Sequence, residues 1–248
     1  MNNNAAGPAQ LKVVGLRKTY RKKTAVADVS FSMNVGEVVG LLGPYGAGKT
    51  TVFYMIVGFI KAGQGSIFLN NENISHLPMF KRARKGISYL SQEPSIFRKM
   101  TVEKNIWSIL ETRSDLTLDE KKQFLEKLLE SFGIAELRKQ PAYTLSGGER
   151  RRTEIARNLA VSPRFLLLDE PFAGIDPIAV NEIKRIIIRL AKQGIGILIT
   201  DHNVRDTLDI TQCAYIINHG EILVSGTRDE LMKSDLARAI YLGHDFAL

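Results

Sequence analysis

Residues 43–50 read Gly-Pro-Tyr-Gly-Ala-Gly-Lys-Thr and fit the phosphate-binding pattern G-x-x-x-x-G-K-[ST]. Glycines let backbone N–H groups point at phosphate oxygens without a Cβ in the way. Lys49 can reach the β- and γ-phosphates of a nucleotide, and the Thr50 hydroxyl can bind Mg²⁺. The alternative is a plain glycine turn, but the apolar run before the loop and the helical pattern after it favour a nucleotide site.

Asp169 and Glu170 end a second apolar run, residues 165–168. An Asp at the tip of a buried strand is well placed to hold Mg²⁺ directly or through water. Glu170 beside it would orient and deprotonate an attacking water. Adjacent carboxylates are usually solvent-facing charge, but open α/β sheets bind ligands at the carboxyl ends of their strands. The pattern therefore favours a metal ligand and a general base.

Three further positions each allow two interpretations. Ser146 and Glu149 have the spacing of a capping box that opens a helix, yet the same N–H groups can bind a phosphate. His202 follows an apolar run, where it could hydrogen-bond a γ-phosphate or simply complete local structure. Tyr20 could stack on an adenine or lie at the surface of a hairpin turn.

The elements that must position these residues alternate short apolar runs with helical patterns. Apolar runs predict strands at residues 11–16, 30–35, 38–42, 65–69, 87–90, 164–169, 195–200, 214–218 and 221–225. Spacings of three and four predict helices at residues 51–57, 150–160, 178–191 and 229–242, and a helical insert over residues 101–134. Residues 70–73 are predicted as a polar turn.

Composition and charge narrow the classes of function that the chain could have. The net charge is +8, clustered at residues 17–23, 81–85 and 150–152, which suits nucleic acid, anionic lipid, an acidic partner or only a solvated surface. Cys213 is the single cysteine, so we expect a reducing compartment and a buried structural role. Residues 1–8 are polar and do not fit the pattern of a secretory signal. The longest apolar stretch, residues 52–60, falls short of the roughly 20 residues that cross a bilayer.

Taken together, the motifs resemble the ATP-binding subunit of an ABC transporter. The phosphate loop is followed in order by Gln92, by residues 145–149 and 166–170, by residues 174–176 and by His202. The resemblance implies an α/β P-loop NTPase of ABC type, with a mostly parallel RecA-like core sheet, an antiparallel β subdomain and a helical subdomain insert. It implies one ATP-binding domain over residues 1–248, with the core at 11–92 and 161–248 and the helical subdomain at 93–160.

The resemblance also implies ATP hydrolysis with Mg²⁺ in a head-to-tail homodimer. The phosphate loop of one copy and residues 145–149 of the other, here called the Ser146 loop, would enclose each ATP. Tyr20 would stack on adenine, and Gln92 would bind Mg²⁺ and sense a membrane partner. The implied catalytic residues are Lys49, Glu170 and His202. The implied metal ligands are Thr50, Gln92 and Asp169. The implied ATP-binding residues are Tyr20, Gly43, Pro44, Tyr45, Gly46, Ala47, Gly48, Lys49, Thr50, Thr51, Gln92, Ser146, Gly147, Gly148, Glu149 and Asp176, the last contacting the opposite copy.

Within the family the chain is most similar to the lipopolysaccharide-export ATPases, on residues 87–98, 145–152, 170–177 and 241–246. That likeness implies lipopolysaccharide extraction from the inner membrane toward the outer membrane. It also implies two transmembrane permease subunits of the LptF and LptG type. The chain would lie in the cytoplasm, peripheral on the inner membrane through those partners, with no nucleic acid.

Three alternatives stand beside that interpretation. Branched-chain amino-acid importer ATPases are similar but usually lack the arginine run at residues 150–152. A soluble ABC ATPase acting on nucleic acid would fit the charge, but the chain has no coiled-coil insertion, no second cassette and no cysteine set for zinc. A nucleotide switch without turnover is disfavoured by Glu170 and His202.

Two departures from the family and one apolar cluster complete the predictions. Tyr45 stands where the family has Asn, and Ser91 where Pro is usual. Large apolar residues follow the Gln92 loop, namely Ile96, Phe97, Met100 and Trp107. They either line a groove for a short helix of a membrane subunit or belong to the core of the helical insert.

Overall fold

The computed structural model describes residues 9–242. The predictions for the polar start (residues 1–8) and for residues 243–248 lie outside that range. The strands are β1 Gln10–Tyr20, β2 Lys23–Asn34, β3 Val38–Leu42, β4 Gln64–Leu69, β5 Glu72–Asn73, β6 Ile87–Leu90, β7 Phe165–Asp169, β8 Gly196–Thr200, β9 Cys213–Asn218 and β10 Glu221–Gly226. The helices are α1 Lys49–Val57, α2 Met79–Arg84, α3 Val102–Leu110, α4 Leu118–Ser131, α5 Gly147–Leu159, α6 Pro177–Lys192, α7 Val204–Ile210, α8 Arg228–Lys233 and α9 Asp235–Ala237. A 3₁₀ turn, Ala142–Thr144, and a π-helical turn, Arg238–Leu242, complete the described elements.

The ten strands of this range form one sheet in the order β5-β4-β1-β2-β10-β9-β3-β8-β7-β6. The run from β9 to β6 is parallel, and the run from β5 to β2 is antiparallel. β10 joins the two halves, since it is antiparallel to β9 and parallel to β2. The predicted α/β class, with a mostly parallel core and an antiparallel part, is confirmed.

Apolar packing covers both faces of the parallel half. β3, β7 and β8 are buried at every residue, as strands covered on two sides must be. On one face α3, α4, α5 and α6 pack in a single apolar cluster against β6, β7 and β8. On the other face α1 packs with β1, β2 and β4. This packing fixes the carboxyl ends of β3, β7 and β8 at one edge of the sheet.

Several boundaries differ from the sequence predictions. β1 and β2 are about twice the predicted length and meet at a two-residue turn, so Tyr20 ends a strand instead of lying in a loop. Charged and polar residues on the exposed side of this hairpin interrupt the apolar pattern, so the sequence predicts shorter strands. The polar stretch 70–73 was predicted as a turn, but Glu72–Asn73 pairs with β4. The short helices α2 and α7 were not predicted.

Helix caps explain two other differences. The helical insert is two helices, because Thr117 forms a capping box with Glu120 and restarts the chain as α4. The predicted terminal helix 229–242 breaks at Ser234, whose hydroxyl accepts from the N–H of Ala237 and opens α9. A serine that bonds the backbone in this way competes with helix continuation.

Gly196 sits where β8 meets its neighbours too closely for a side chain. A Cβ there would lie 2.6 Å from Cδ1 of Phe165 and 2.8 Å from the carbonyl oxygen of Asn34. We therefore expect Gly196→Ala to lower the free energy of unfolding by about 1–3 kcal/mol, the usual cost of overpacking, in urea titrations. In a Phe165→Ala background every ring atom is gone and only the clash with the Asn34 carbonyl oxygen remains, so the same substitution should cost less. An equal cost in both backgrounds would contradict the steric explanation.

Candidate active site

The phosphate loop connects the end of β3 to the start of α1. Gly48 caps α1 with φ 108°, and a Cβ there would lie 2.5 Å from the carbonyl oxygen of Ala25, so glycine is required. The buried Lys49 donates from Nζ to the carbonyl oxygens of Gly43, at 2.7 Å, and Pro44, at 2.9 Å. Burial lowers the pKa of Lys49, and the nearby acidic side chains oppose that shift. The carbonyl groups of the loop thus surround the ammonium group of Lys49.

A cleft of about 460 Å³ opens over this loop. Tyr20 lies on its wall, with the Nζ of Lys18 5.3 Å from the ring centroid. Its lining residues are Tyr20, Lys23, Ala25, Tyr45, Gly46, Ala47, Gly48, Lys49, Thr50, Thr51, Gln92, Glu170 and His202. Most of the residues predicted to hold nucleotide are therefore brought together, and Gly43 and Pro44 contribute their carbonyls to Lys49.

Glu170 is held from three directions. Its backbone has φ 48°, a left-handed conformation uncommon for a residue with a Cβ, and its N–H donates to the Thr200 carbonyl oxygen at 2.8 Å. Its Oε2 accepts from Nε2 of Gln92 at 2.7 Å, and its Oε1 lies 2.8 Å from Nε2 of His202. The predicted general base, Gln92 and His202 are thus in direct contact.

Asp169 ends β7 with one satisfied and one unsatisfied oxygen. Oδ2 accepts from the Tyr89 hydroxyl at 3.0 Å. Oδ1 is buried and has no hydrogen-bond partner among residues 9–242. Burial raises the pKa of the Asp169 carboxyl, while the Tyr89 hydrogen bond opposes that shift. A buried carboxylate oxygen without a partner suits a cation ligand.

The Ser146 loop does not line the cleft over Lys49. Ser146 and Glu149 form the predicted capping box at the start of α5. Gly147 lines a second cavity of about 420 Å³ with residues 173–175, and Gln92 lies between the two because it lines both. Asp176 caps α6 by accepting from the Ala179 N–H at 2.9 Å. In the described chain, none of the predicted ligands at residues 146–149 and 176 lines the cleft over Lys49.

Comparison with known proteins decides the family. The family described as ABC transporter matches residues 26–173. The lipopolysaccharide export system ATP-binding protein LptB of Haemophilus influenzae is 51% identical over 238 residues, 96% of this chain and 99% of that protein. LptB of Escherichia coli K12 is 50% identical over 240 residues, 97% of this chain and 100% of that protein. The chain belongs to the ABC transporter ATP-binding family.

Solved structures agree with this assignment of an ABC ATPase. A nucleotide-free ATP-binding cassette from an ABC transporter superposes with a TM-score of 0.84 at 27% identity, covering 95% of this chain and 99% of that one. Another cassette, in its ADP conformation, gives 0.84 at 28% identity, covering 96% and 100%. Between residues 9 and 242, no helix of this ABC ATPase is long and apolar enough to cross a bilayer.

Sequence reasoning missed two residues that brace the site. Tyr89 hydrogen-bonds Asp169, as described above. Asp201 accepts from the Phe172 N–H at Oδ2 and from the Asn203 N–H at Oδ1, both at 2.9 Å, so it ties the segment after Glu170 to the loop of His202. Burial raises the pKa of the Asp201 carboxyl. No motif pointed to either residue, because Tyr89 bonds Asp169 and Asp201 bonds Phe172 across segments that are far apart in sequence.

The basic clusters are partly internal. Arg82 is buried and donates to the carbonyl oxygens of Met55 and Ile56 at the end of α1. Arg151 is buried under the site. Neither partner binding nor surface solvation describes these two arginines, so the formal charge overstates the basic surface. Cys213 was expected to be buried, but it is only partly buried at the start of β9.

Tyr45, which replaces the usual Asn, projects from the loop with 94% of its surface exposed. The backbone N–H groups and Lys49 lie deeper in the cleft. We therefore expect Tyr45→Asn to change the free energy of ATP binding by less than about 1 kcal/mol, the scale of one hydrogen bond, in calorimetric titrations. Turnover is free to change more if this side chain faces another copy. A tenfold or larger shift of the ATP dissociation constant would contradict this role.

Proposed function

We propose that this ABC ATPase is the motor of a lipopolysaccharide export system. It uses ATP hydrolysis to drive lipopolysaccharide out of the inner membrane toward the outer membrane. The observation that carries the proposal is identity of about 50% to LptB proteins over nearly the whole of both chains. The chain works on the cytoplasmic face of the inner membrane, docked on two transmembrane permease subunits of the LptF and LptG type.

In the proposed mechanism ATP occupies the cleft over Lys49. Tyr20 stacks on the adenine, and the loop amides with Thr51 hold the phosphates. Lys49 exchanges its contacts with the Gly43 and Pro44 carbonyls for contacts with the β- and γ-phosphates. Thr50, Gln92 and Asp169 would hold Mg²⁺, which would supply positive charge to neutralise the phosphates. The unpartnered Oδ1 of Asp169 supports this fit.

Hydrolysis then needs Glu170 to be released from its present contacts. Both of its oxygens face Gln92 and His202. A γ-phosphate gives His202 another partner, and Gln92 would turn its side-chain oxygen toward the cation site, which moves its Nε2 away from Glu170. Glu170 then accepts a proton from a water whose oxygen attacks the γ-phosphorus. The bond from that phosphorus to the bridging oxygen breaks, which gives ADP and inorganic phosphate.

A second copy completes the site in this proposal. The Ser146 loop and Asp176 lie away from the Lys49 cleft, as two half-sites on one chain would. Head-to-tail pairing brings the Ser146 loop of one copy onto the ATP of the other, where the free N–H groups at the start of α5 bind phosphate. The proposed core comprises residues 11–92 and 161–248, and the proposed helical subdomain residues 93–160.

Glu170→Gln tests this function. Glutamine keeps the shape but cannot take the proton, so hydrolysis should fall ~10² to 10⁴-fold, while ATP binding persists. Retained ATP should join two copies into a dimer that ADP does not support, as measured by light scattering beside phosphate release. Lys49→Ala should bind no nucleotide and stay monomeric. Hydrolysis by Glu170→Gln near the parent rate would refute the mechanism.

The membrane partner is proposed to dock beside the Gln92 loop. Phe97 and Met100 are 48% and 40% exposed. Ile96 is buried, and Trp107 packs against the core and donates to Glu111, so the predicted cluster narrows to two residues. The guanidinium of Arg157 lies 5.1 Å from the Phe97 ring centroid. The exposed pair offers an apolar seat for a short helix.

Phe97→Ala tests the docking surface. We expect an unchanged melting temperature and ATP affinity, but loss of co-purification with a polytopic membrane partner, because a large aromatic anchor is removed. Leu118→Ala is the matched control, since Leu118 is also exposed but begins α4. Undiminished partner recovery with Phe97→Ala, or unfolding of that variant, would contradict the assignment.

A further inference from the structure

Arg151 makes an unusual set of contacts beneath the site. Arg151 as a whole residue is 5% exposed, and its guanidinium donates to four backbone carbonyls. Nη2 reaches the carbonyl oxygens of Asp169 and Glu170 at 3.1 and 3.0 Å, and Nε reaches that of Pro171 at 3.2 Å. Nη1 reaches the carbonyl oxygen of Ser91, one residue before Gln92, at 2.9 Å. One side chain therefore holds the backbone of the proposed base and of the Gln92 loop.

Two neighbours on the same face of α5 hold the other end of that loop. Glu154, 1% exposed, pairs with Arg151 at 3.2 Å and accepts from the N–H groups of Ser95 and Ile96 at Oε1. Arg157 donates to the carbonyl and hydroxyl oxygens of Ser95. Arg151, Glu154 and Arg157 recur at every third position, so one helical face grips both flanks of Gln92. We call these three residues the α5 clamp.

We propose that Arg151 is a positioning residue for hydrolysis, which sets the backbone of Glu170 and ties it to the Gln92 loop and the Ser146 loop. This inference rests on the proposed function, in which Glu170 is the base. Glu170 occupies a left-handed conformation that its neighbours must impose, and the Arg151 contacts on residues 169–171 do so. Arginine suits the task, since its planar fork can serve several acceptors at fixed angles.

The α5 clamp also gives the second copy a route to the base. α5 begins at the capped Ser146 and carries Arg151 about one and a half turns later. When the Ser146 loop binds the ATP of the other copy, any rotation of α5 moves the carbonyls of Glu170 and Ser91 with it. The base of one site therefore responds to nucleotide in the other, and Arg157 extends this connection to Phe97.

The test uses Arg151→Met in the full chain. We expect kcat to fall about tenfold to a hundredfold, the effect of misplacing a catalytic group, with ATP affinity within twofold of the parent. Arg151→Lys should not restore kcat, because an ammonium cannot span four carbonyls. In a Glu170→Gln background, Arg151→Met should slow single-turnover hydrolysis by less than twofold, since the group it positions is already disabled. A residue that only stabilises the fold would give additive losses.

Controls separate folding from positioning. Arg152→Met changes the next arginine, which pairs with Glu182 on α6, and should leave kcat at the parent value. Arg151→Met/Glu154→Gln removes both buried charges, so it carries the test if Arg151→Met does not fold. Parental kcat in a folded Arg151 variant, or additive losses with Glu170→Gln, would overturn the inference while leaving the proposed function intact. If Glu170→Gln itself hydrolyses ATP normally, the proposed function fails and the inference falls with it.

Discussion

Parallel pairing of β6, β7, β8 and β3 places four chain segments side by side at one edge of the sheet. The register pairs Leu168 with both Leu90 and Ile199, and Ile199 with Gly40. A few residues later each strand ends, and the chain delivers the phosphate loop, Gln92, Asp169 with Glu170, and His202 to the same place. Helices on both faces keep these strands buried, so polar side chains from several strands gather where the strands end.

Gathering charge at that edge is costly, and the hydrogen bonds around it show how the cost is offset. Lys49 is buried but bonded to two loop carbonyls, and Arg151 to four others and to Glu154. Buried ions stay tolerable only with such partners. Asp169 departs from this pattern, because its buried Oδ1 finds no partner in the described chain; Oγ1 of Thr200, on the next strand, is likewise without one. A site left incomplete at this point gains stability from whatever binds it, which links nucleotide binding to the rigidity of the strand ends.

Much of this arrangement could be predicted from the sequence, because the motifs lie where the spacing of apolar residues changes from a strand pattern to a helix pattern. The phosphate loop, Asp169 and His202 each follow a short apolar run, and the capping box at Ser146 marks its own helix. The burial of Arg151 also left a signal, since Gly148, Ile155 and Leu159 place position 151 on the buried stripe of α5. Its three consecutive arginines obscured that signal, because a charge run usually indicates an exposed surface.

Other features had no local signal. Tyr89 bonds Asp169, and Asp201 bonds the Phe172 N–H, across neighbouring strand ends that are far apart in sequence, so no local pattern indicates either role. The extent of the first hairpin depends on cross-strand partners, and the break at Ser234 on a single hydroxyl that bonds the backbone. Such features are decided by tertiary contacts that override local preference.

The contacts of Glu170 suggest how the proposed transporter ATPase would avoid hydrolysing ATP before the dimer is assembled. In the described chain, each carboxylate oxygen of Glu170 already contacts a neighbour, Oε2 with Gln92 and Oε1 with His202. In the proposed mechanism, nucleotide gives His202 another partner, and Arg151 on α5 places the Glu170 backbone. In the same proposal, the second copy acts on α5 through the Ser146 loop. Hydrolysis would then be favoured in the assembled state, in which the proposed docking surface at Phe97 would pass the energy of ATP to a membrane partner.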